Sequence, residues 1–87
     1  MNKRVVYVGG LPKTTSDHQL RDLLGAYGTV SHAHVVKHKH SGKSAGYGFV
    51  EMSSSEQASN AVVALEGVVL EGGCLRLYIV PYASIRP

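Results

Sequence analysis

Residues 44–52 read Ser-Ala-Gly-Tyr-Gly-Phe-Val-Glu-Met, and their alternation decides the fold. Successive side chains of a β-strand point to opposite faces, so Tyr47 and Phe49 share one face while Val50 and Met52 share the other. The aliphatic pair suits an apolar core. The aromatic pair either packs across strands on a second buried face or forms an exposed surface on which flat ligands such as nucleobases stack.

A third aromatic residue with this orientation lies near the amino terminus. Residues 5–8 form a run of β-branched and aromatic side chains that predicts a strand, ended by a Gly-Gly pair. If Val6 and Val8 face the core, Tyr7 faces away from it. The sequence therefore predicts aromatic side chains on the outer face of two strands.

Two amphipathic helices lie between the predicted strands. The first begins at Thr15 or Ser16, of which Ser16 has the capping-box spacing to Gln19. The second begins with the pair Ser53 and Glu56, which has the same spacing. Each helix carries one apolar stripe at helical spacing. The stripe residues are Leu20, Leu23, Leu24 and Tyr27 in the first helix and Ala58, Ala61, Val62 and Leu65 in the second.

Two further strands complete the pattern. Residues 30–37 predict one strand, with Val30, Ala33 and Val35 toward the core. The step between Val30 and Ala33 breaks strict alternation, which predicts a β-bulge. Residues 74–80 predict the last strand.

The element order is therefore β-α-β-β-α-β. Two helices with one apolar stripe each can cover only one face of a four-stranded sheet. We predict an α+β, ferredoxin-like sandwich with an antiparallel sheet, forming one domain over residues 1–87 with a core of about 4–82 and a short tail at 83–87. By parity, the side chains on the uncovered face are those of Tyr7, His34, Tyr47, Phe49, Arg76 and Tyr78.

Charge is distributed unevenly along the chain, whose net charge is +3. Eight of the nine Lys and Arg residues lie in the segments 1–16, 23–50 and 72–87, which contain no Asp or Glu. The acids are thereby expected away from one basic face, although chance clustering in a small chain is the alternative. A basic surface beside exposed aromatic rings is typical of proteins that bind single-stranded nucleic acid.

Composition argues against several classes of protein. No apolar run approaches the ~20 residues of a membrane span, and the start of the chain does not resemble a secretory signal. The single cysteine, Cys74, allows no internal disulfide. These features predict an intracellular protein, cytoplasmic or, in a eukaryote, nuclear. No nucleophile–base–acid set emerges, so we predict neither enzyme activity nor a cofactor.

Four histidines fall close together, at His32, His34, His38 and His40. Residues two apart on a strand share a face, and two imidazoles so placed can chelate a metal ion. No cysteine accompanies them, however, and the predicted bulge separates the directions of the strand pair. We interpret the cluster as a solvated basic loop and predict no metal site.

The two aromatic strands resemble the signature motifs of the RNA-recognition motif family, also called the RRM or RNP domain. The octamer of that family, K/R-G-F/Y-G/A-F-V-x-F/Y, corresponds here to Ala-Gly-Tyr-Gly-Phe-Val-Glu-Met at residues 45–52. The hexamer of the family resembles Val-Tyr-Val-Gly-Gly-Leu at residues 6–11. The similarity extends over about residues 4–82, and the chain resembles small single-domain members of the family. The octamer differs from the family pattern at Ala45, where the family prefers a phosphate-binding Lys or Arg; Lys43 is the candidate substitute.

The resemblance implies a role for each of these positions. Tyr7 and Tyr47 each stack on a base, and Phe49 stacks or lies near a sugar pair. The peripheral contacts to RNA are expected from Lys3, His34, Lys37, Lys39, Lys43, Arg76 and Tyr78. The expected partner is single-stranded RNA, with single-stranded DNA as a substitute in vitro, bound by a monomer without a membrane. The implied process is post-transcriptional RNA handling.

A protein–protein interaction module of the same fold is the alternative function. In such modules the sheet aromatics are commonly lost, or a partner or tail covers them. Residues 81–87 include Tyr82 and Ile85, which are apolar enough to fold back over the sheet. The retained Tyr7, Tyr47 and Phe49 favour RNA binding.

Overall fold

Strands and helices follow the predicted order in the computed structural model, which describes residues 4–70 and 72–80. In chain order the elements are β1 (Val5–Gly9), α1 (Asp17–Gly25), β2 (Val30–Lys37), β3 (Ser44–Met52), α2 (Ser55–Leu65), β4 (Val69–Leu70), β5 (Gly73–Cys74) and β6 (Arg76–Ile79). Within those ranges, β2-β3-β1-β6 form a four-stranded antiparallel sheet, and β4 and β5 pair as a separate hairpin. The predicted α+β fold is confirmed.

The pairing register brings residues of equal parity into line across the sheet. Tyr7 of β1 lies opposite Phe49 of β3 on one side and opposite Tyr78 of β6 on the other. His34 of β2 lies opposite Phe49. The four side chains therefore form one row across all the strands of this sheet, as the parity of the sequence predicts.

The core lies between the sheet and the two helices. Val6, Val8 and Val50 alternate with the row just described and are 0% exposed. Leu20 and Leu24 of α1, equally buried, pack into the same cluster. Burying such a side chain favours folding by roughly 1.5–3 kcal/mol relative to leaving it in water. The other core residues are Leu11, Val35, Met52, Ala58, Ala61, Leu65, Leu75 and Leu77.

Gly48 allows α1 to approach the sheet closely. A Cβ atom at this position would lie 2.5 Å from the carbonyl oxygen of His34 and 2.9 Å from Cδ2 of Leu20. Neither β2 nor the buried leucine could retain its place beside a side chain there. The second glycine of the octamer therefore serves the packing of the core.

The capping box predicted at the start of α1 is present. Ser16 and Gln19 exchange hydrogen bonds between side chain and backbone. The helix ends at Gly25, so the prediction that Tyr27 belongs to its apolar stripe is wrong, and Tyr27 is exposed after the helix. Asp17, in the first turn, accepts a hydrogen bond of 2.8 Å from the backbone N–H of Val35 and so links α1 to β2. In residues 4–70 and 72–80, no helix has the length and apolarity needed to cross a lipid bilayer.

The start of α2 differs from the prediction by one residue. Ser54 is the N-cap and accepts a 3.2 Å hydrogen bond from the backbone N–H of Gln57. The predicted capping pair of Ser53 and Glu56 is therefore wrong. The reason is tertiary, because the backbone N–H of Ser53 donates to the carbonyl of Thr29 at 2.9 Å and keeps Ser53 in the preceding turn.

The last strand is shorter than predicted. It begins at Arg76, because Cys74 pairs with Val69 in the hairpin. The backbone N–H of Leu75 donates to the carbonyl of Val68 at 2.8 Å, which keeps Leu75 in the same local structure. The prediction of one strand over residues 74–80 is wrong at its amino-terminal end.

Two irregularities interrupt the regular pairing of β2 with β3. The first, between Val30 and His32, is the bulge that the sequence predicts. The second lies between Val35 and Lys37 and was not predicted. On β3 it faces Gly46, whose φ of +86° is in the left-handed region that favours glycine.

Candidate nucleic-acid interface

Aromatic side chains cluster on the face of the sheet opposite the helices. The ring centroid of Tyr7 lies 5.7 Å from that of Tyr47, 5.8 Å from that of Phe49 and 4.7 Å from that of Tyr78. The rings of Tyr47 and Phe49 are nearly perpendicular, with centroids 6.3 Å apart. We call these four residues the aromatic platform. Tyr7 is at its centre, because β1 lies between β3 and β6.

The backbone of Gly9 makes room for the central ring. A Cβ atom on Gly9 would lie 2.5 Å from the hydroxyl oxygen of Tyr7 and 2.9 Å from two of its ring carbons. The ring of Tyr7 therefore lies over its own strand, β1, at Gly9. From the sequence, the Gly-Gly pair was predicted only to end the strand, although Gly9 shares a face with Tyr7 at a spacing of two residues.

The platform is partly open to solvent. Tyr7, Tyr47 and Phe49 are half-buried, and Tyr78 is 56% exposed. Their mutual contacts fix the rings, while the exposed parts can contact a flat ligand. Stacking of a base on such a ring contributes about 1–3 kcal/mol.

Polar side chains predicted at the rim lie at both edges of the platform. His34, on β2, is exposed beside Phe49. Arg76 and Tyr78 are on β6, at the opposite edge of the sheet. The predicted contact residue Lys3 lies outside the described residues, as does the tail at residues 81–87 that the alternative function invokes.

Three lysines line one cleft at the edge of the domain. Lys13, from the segment before α1, meets Lys37 and Lys43 around a volume of about 370 Å³. We call this group the basic cleft; its other lining residues are Thr14, Thr15, Ser16, Gly42 and Ser44. Lys37 and Lys43 were predicted to contact RNA, and Lys13 was missed. Its signal in the sequence was its place in the acid-free first segment.

A hydrogen-bonded turn holds the loop of the basic cleft. The backbone N–H of His38 donates to the carbonyl of Lys43 at 2.8 Å, and that of Gly42 donates to the carbonyl of His38 at 2.9 Å. Gly42 has a φ of +71°, which closes the turn. The turn therefore brings Lys43 back toward Lys37, while Lys39 within it is exposed. Lys43, the candidate substitute for the basic residue missing at Ala45, therefore lines the basic cleft.

Glu66 reaches the edge of the platform. Its Oε2 accepts a hydrogen bond of 3.1 Å from Nε of Arg76, and its Oε1 accepts one from the backbone N–H of Leu77. The bond from Leu77, followed by the Arg76 guanidinium, holds the pKa of the Glu66 carboxyl below its ordinary value. Sequence reasoning missed Glu66, because nothing local to it indicates this partner.

A second carboxylate lies at the far end of β3. Glu51 shares the parity of Phe49, and its carboxylate oxygens lie 3.5 Å from Nη2 of Arg4 and 3.7 Å from Nδ1 of His32. Together with Glu66, this corrects the expectation that the acids lie away from the binding face. Both carboxylates are next to basic side chains, which limits their repulsion of a phosphate backbone.

The clustered histidines separate in the structure. His32 lies against Glu51, His34 lies beside Phe49, and His38 is part of the turn. Within residues 4–70 and 72–80, no group of three His, Cys, Asp or Glu side chains is placed to hold a metal ion together. The face therefore offers a ligand stacking surface, and the lysines of the basic cleft supply positive charge.

Comparison with known proteins agrees with this geometry. A family model described as RNA recognition motif matches residues 6–76. The chain is 39% identical over 82 residues to the 28 kDa ribonucleoprotein, chloroplastic, of Spinacia oleracea. That alignment covers 94% of this chain and 34% of the spinach protein, so the chain spans about a third of its relative.

Solved structures are similar over nearly the whole chain. The RNA-binding protein PG1 matches with a TM-score of 0.87 and 32% sequence identity, covering 97% of this chain and 98% of that one. The Rna15 RRM with bound RNA (GU) matches with a TM-score of 0.84 and 30% identity, covering 94% and 87%. The similarity therefore includes a structure solved with RNA.

Proposed function

The chain belongs to the RNA recognition motif family, and from that premise we propose that it binds single-stranded RNA across the open face of its sheet. The observation that carries this proposal is the aromatic platform, in which four rings lie together on the face away from the helices. Bases of a single strand are unpaired and can lie against such rings, whereas those of a duplex are stacked within the helix.

The proposed path of the RNA crosses the strands of the sheet. Bases stack on Tyr7 and Tyr47, and a base or sugar lies near Phe49. His34 and Tyr78 border these positions on β2 and β6. Phosphates are contacted by the basic cleft and Lys39, and Lys3 stays a predicted contact. This arrangement binds RNA without transforming it, so we propose a binding module and no enzyme.

The setting we propose is RNA handling after transcription. The spinach relative is named as a chloroplast ribonucleoprotein. An organelle is therefore a second setting for the same chemistry, beside the cytoplasm that the sequence predicts. We propose further that residues 1–87 act as one domain and a monomer, and that single-stranded DNA competes for the same face in vitro.

A titration with short single-stranded RNA tests the proposal, with two tyrosine variants compared at one stated salt concentration. Tyr47→Ala removes a ring of the platform and should weaken binding by about 1–3 kcal/mol. Tyr27→Ala removes an exposed tyrosine that follows α1, outside the platform, and should leave binding unchanged. Equal affinities of the two variants would contradict the proposal.

The same titration separates RNA binding from the protein-binding alternative. NMR signals of Tyr7, Tyr47 and Phe49 should shift as RNA is added, because bases lie against these rings. Signals that stay unmoved at low salt, where phosphate contacts are strongest, would exclude RNA binding by this face.

A further inference from the structure

A pocket opens beside the aromatic platform, at the β6 edge. It has a volume of about 380 Å³ and is lined by Tyr7, Glu66, Arg76, Leu77 and Tyr78. That volume is within the range of about 300–1,000 Å³ that is typical of small-molecule sites. The pocket thus joins an aromatic wall to a pair of opposite charges.

The charged pair in this pocket, Glu66 and Arg76, is held in place by a hydrogen bond to the backbone of β6. Glu66 accepts a hydrogen bond from the backbone N–H of Leu77, which anchors the carboxylate to β6. Its other oxygen accepts from Nε of Arg76 at 3.1 Å. Both carboxylate oxygens are therefore engaged within the protein, and the acid serves to hold the arginine.

Anchoring through Nε leaves the outer end of Arg76 available. In the part of the chain that the structure describes, the bond to Glu66 is the one hydrogen bond of this guanidinium, and the side chain is 73% exposed. A guanidinium carries five N–H donors in one plane, so the Nη1 and Nη2 groups form a fork. Because Glu66 already orients that fork, less conformational freedom is lost when a ligand binds.

A donor fork beside an aromatic wall selects the kind of base. Guanine presents two adjacent acceptors, O6 and N7, to a guanidinium, whereas adenine places an amino donor next to N7. We propose that this pocket binds a guanine base of the RNA, with Arg76 donating to O6 and N7 and the base lying against Tyr78. The inference rests on the proposed RNA binding and adds base selectivity to it.

A phosphate of the same RNA also offers two acceptor oxygens to the fork. The exposed ring of Tyr78, stacked on Tyr7 with an angle of 22° between the planes, favours a flat base at this position. Loss of N7 from the base weakens a contact between Arg76 and guanine but leaves a contact between Arg76 and phosphate unchanged, so a base that lacks N7 distinguishes the two ligands.

The experiment compares short oligouridine strands that carry one guanosine, one 7-deazaguanosine or one adenosine. The unmodified chain should bind the guanosine strand at least about fivefold more tightly than either of the others. The reason is that 7-deazaguanine lacks the acceptor N7, and adenine has an amino donor in place of the acceptor O6. Arg76→Lys keeps the charge and removes the fork, so it should abolish this ratio while still binding oligouridine. Equal affinity for guanosine and 7-deazaguanosine, or a ratio that survives in R76K, overturns the guanine pocket and indicates a phosphate contact.

Glu66 is tested as a positioning residue through the same ratio. Glu66→Gln keeps the Arg76 side chain, but the amide nitrogen cannot accept a hydrogen bond, so one of the bonds to Leu77 and Arg76 is lost and the guanidinium is no longer oriented. The guanosine to 7-deazaguanosine ratio should therefore fall while affinity for oligouridine is retained. Glu56→Gln, on the exposed surface of α2, is the matched control and should keep the full ratio. A full ratio in E66Q overturns this role of Glu66.

If no strand binds at all, the proposed function fails as well; if all strands bind alike, the guanine pocket alone fails.

Discussion

The two faces of the sheet are made by the same strands and have different roles. On β1, Val6 and Val8 are 0% exposed beneath the helices, while Tyr7 between them lies on the open face. On β6 the same alternation separates the buried Leu77 from the exposed Tyr78. Stability and binding are therefore interleaved residue by residue, and the parity of a position in its strand decides which of the two a substitution affects.

The two faces also differ in what supports them. The helix face is held by aliphatic side chains packed among one another, with Gly48 at the closest approach. The open face is held by ring contacts around Tyr7 and by the backbone of Gly9. A ring can therefore be removed from the open face without leaving a cavity in the core, which makes the comparison testable.

The largest effect is expected from Leu20→Ala, on the helix face. Leu20 is fully buried, and such truncations lower the free energy of unfolding by about 2–5 kcal/mol. Urea denaturation should show this loss. RNA affinity, corrected for the folded fraction, should be unchanged. A loss of affinity beyond that correction would show that the two faces are coupled.

Phe49→Ala should produce the converse result. Affinity for single-stranded RNA should fall by about 1–3 kcal/mol, because one ring of the platform is lost. The free energy of unfolding should fall less than in Leu20→Ala, since the paired aromatic contacts contribute about 0.5–1.5 kcal/mol each. Both quantities can be measured on one preparation by titration and urea denaturation. Wild-type affinity in this variant would refute the platform.

A smaller effect is expected from Lys13→Gln in the basic cleft. Binding should weaken similarly for all RNA sequences. The plot of log affinity against log salt, which has a negative slope, should become shallower by roughly 0.7, the value for one phosphate contact on a single strand. Arg21→Gln, exposed on α1 away from the cleft, is the control and should leave the slope unchanged. An unchanged slope in Lys13→Gln would remove the cleft from the RNA path.

The smallest effect concerns acid stability and Glu66. Hydrogen bonds from Leu77 and Arg76 lower the pKa of this carboxyl in the folded state. Its contribution to stability is therefore present above the pKa that the group has in the unfolded chain, about 4.3. That contribution is lost as the pH falls through the lower pKa of the folded state. Between neutral pH and pH ~3, Glu66→Gln should therefore lose less stability than the unmodified chain. Urea denaturation at both pH values measures the difference, which should not appear in Glu56→Gln.

Much of the fold could be predicted because parity and spacing are local. The alternation in residues 44–52 and around Tyr7 was enough to place the rings on one face, and the apolar stripes placed both helices on the other. The bulge near Val30 followed from one broken alternation. The wrong helix cap at Ser53 has a different origin, since Ser53 and Ser54 are equivalent locally and a hydrogen bond to Thr29 decides between them.

Features of the candidate site that join distant segments could not be predicted. Lys13 reaches Lys37 and Lys43 only because the turn after β2 folds back, and the sequence does not specify that distance. Glu66 meets Arg76 because the hairpin of β4 and β5 loops out the intervening chain. In both cases the residue types were visible, while the closure of a loop determined their partners.

The row of side chains from β2 to β6 also sets a footprint. It crosses three gaps between neighbouring strands, each about 4.8 Å, so it spans about 14 Å. A strip of that length holds two or three bases. A long transcript therefore offers many overlapping registers to one copy of the chain, and linking several such modules would raise the avidity for a single transcript without any new contact.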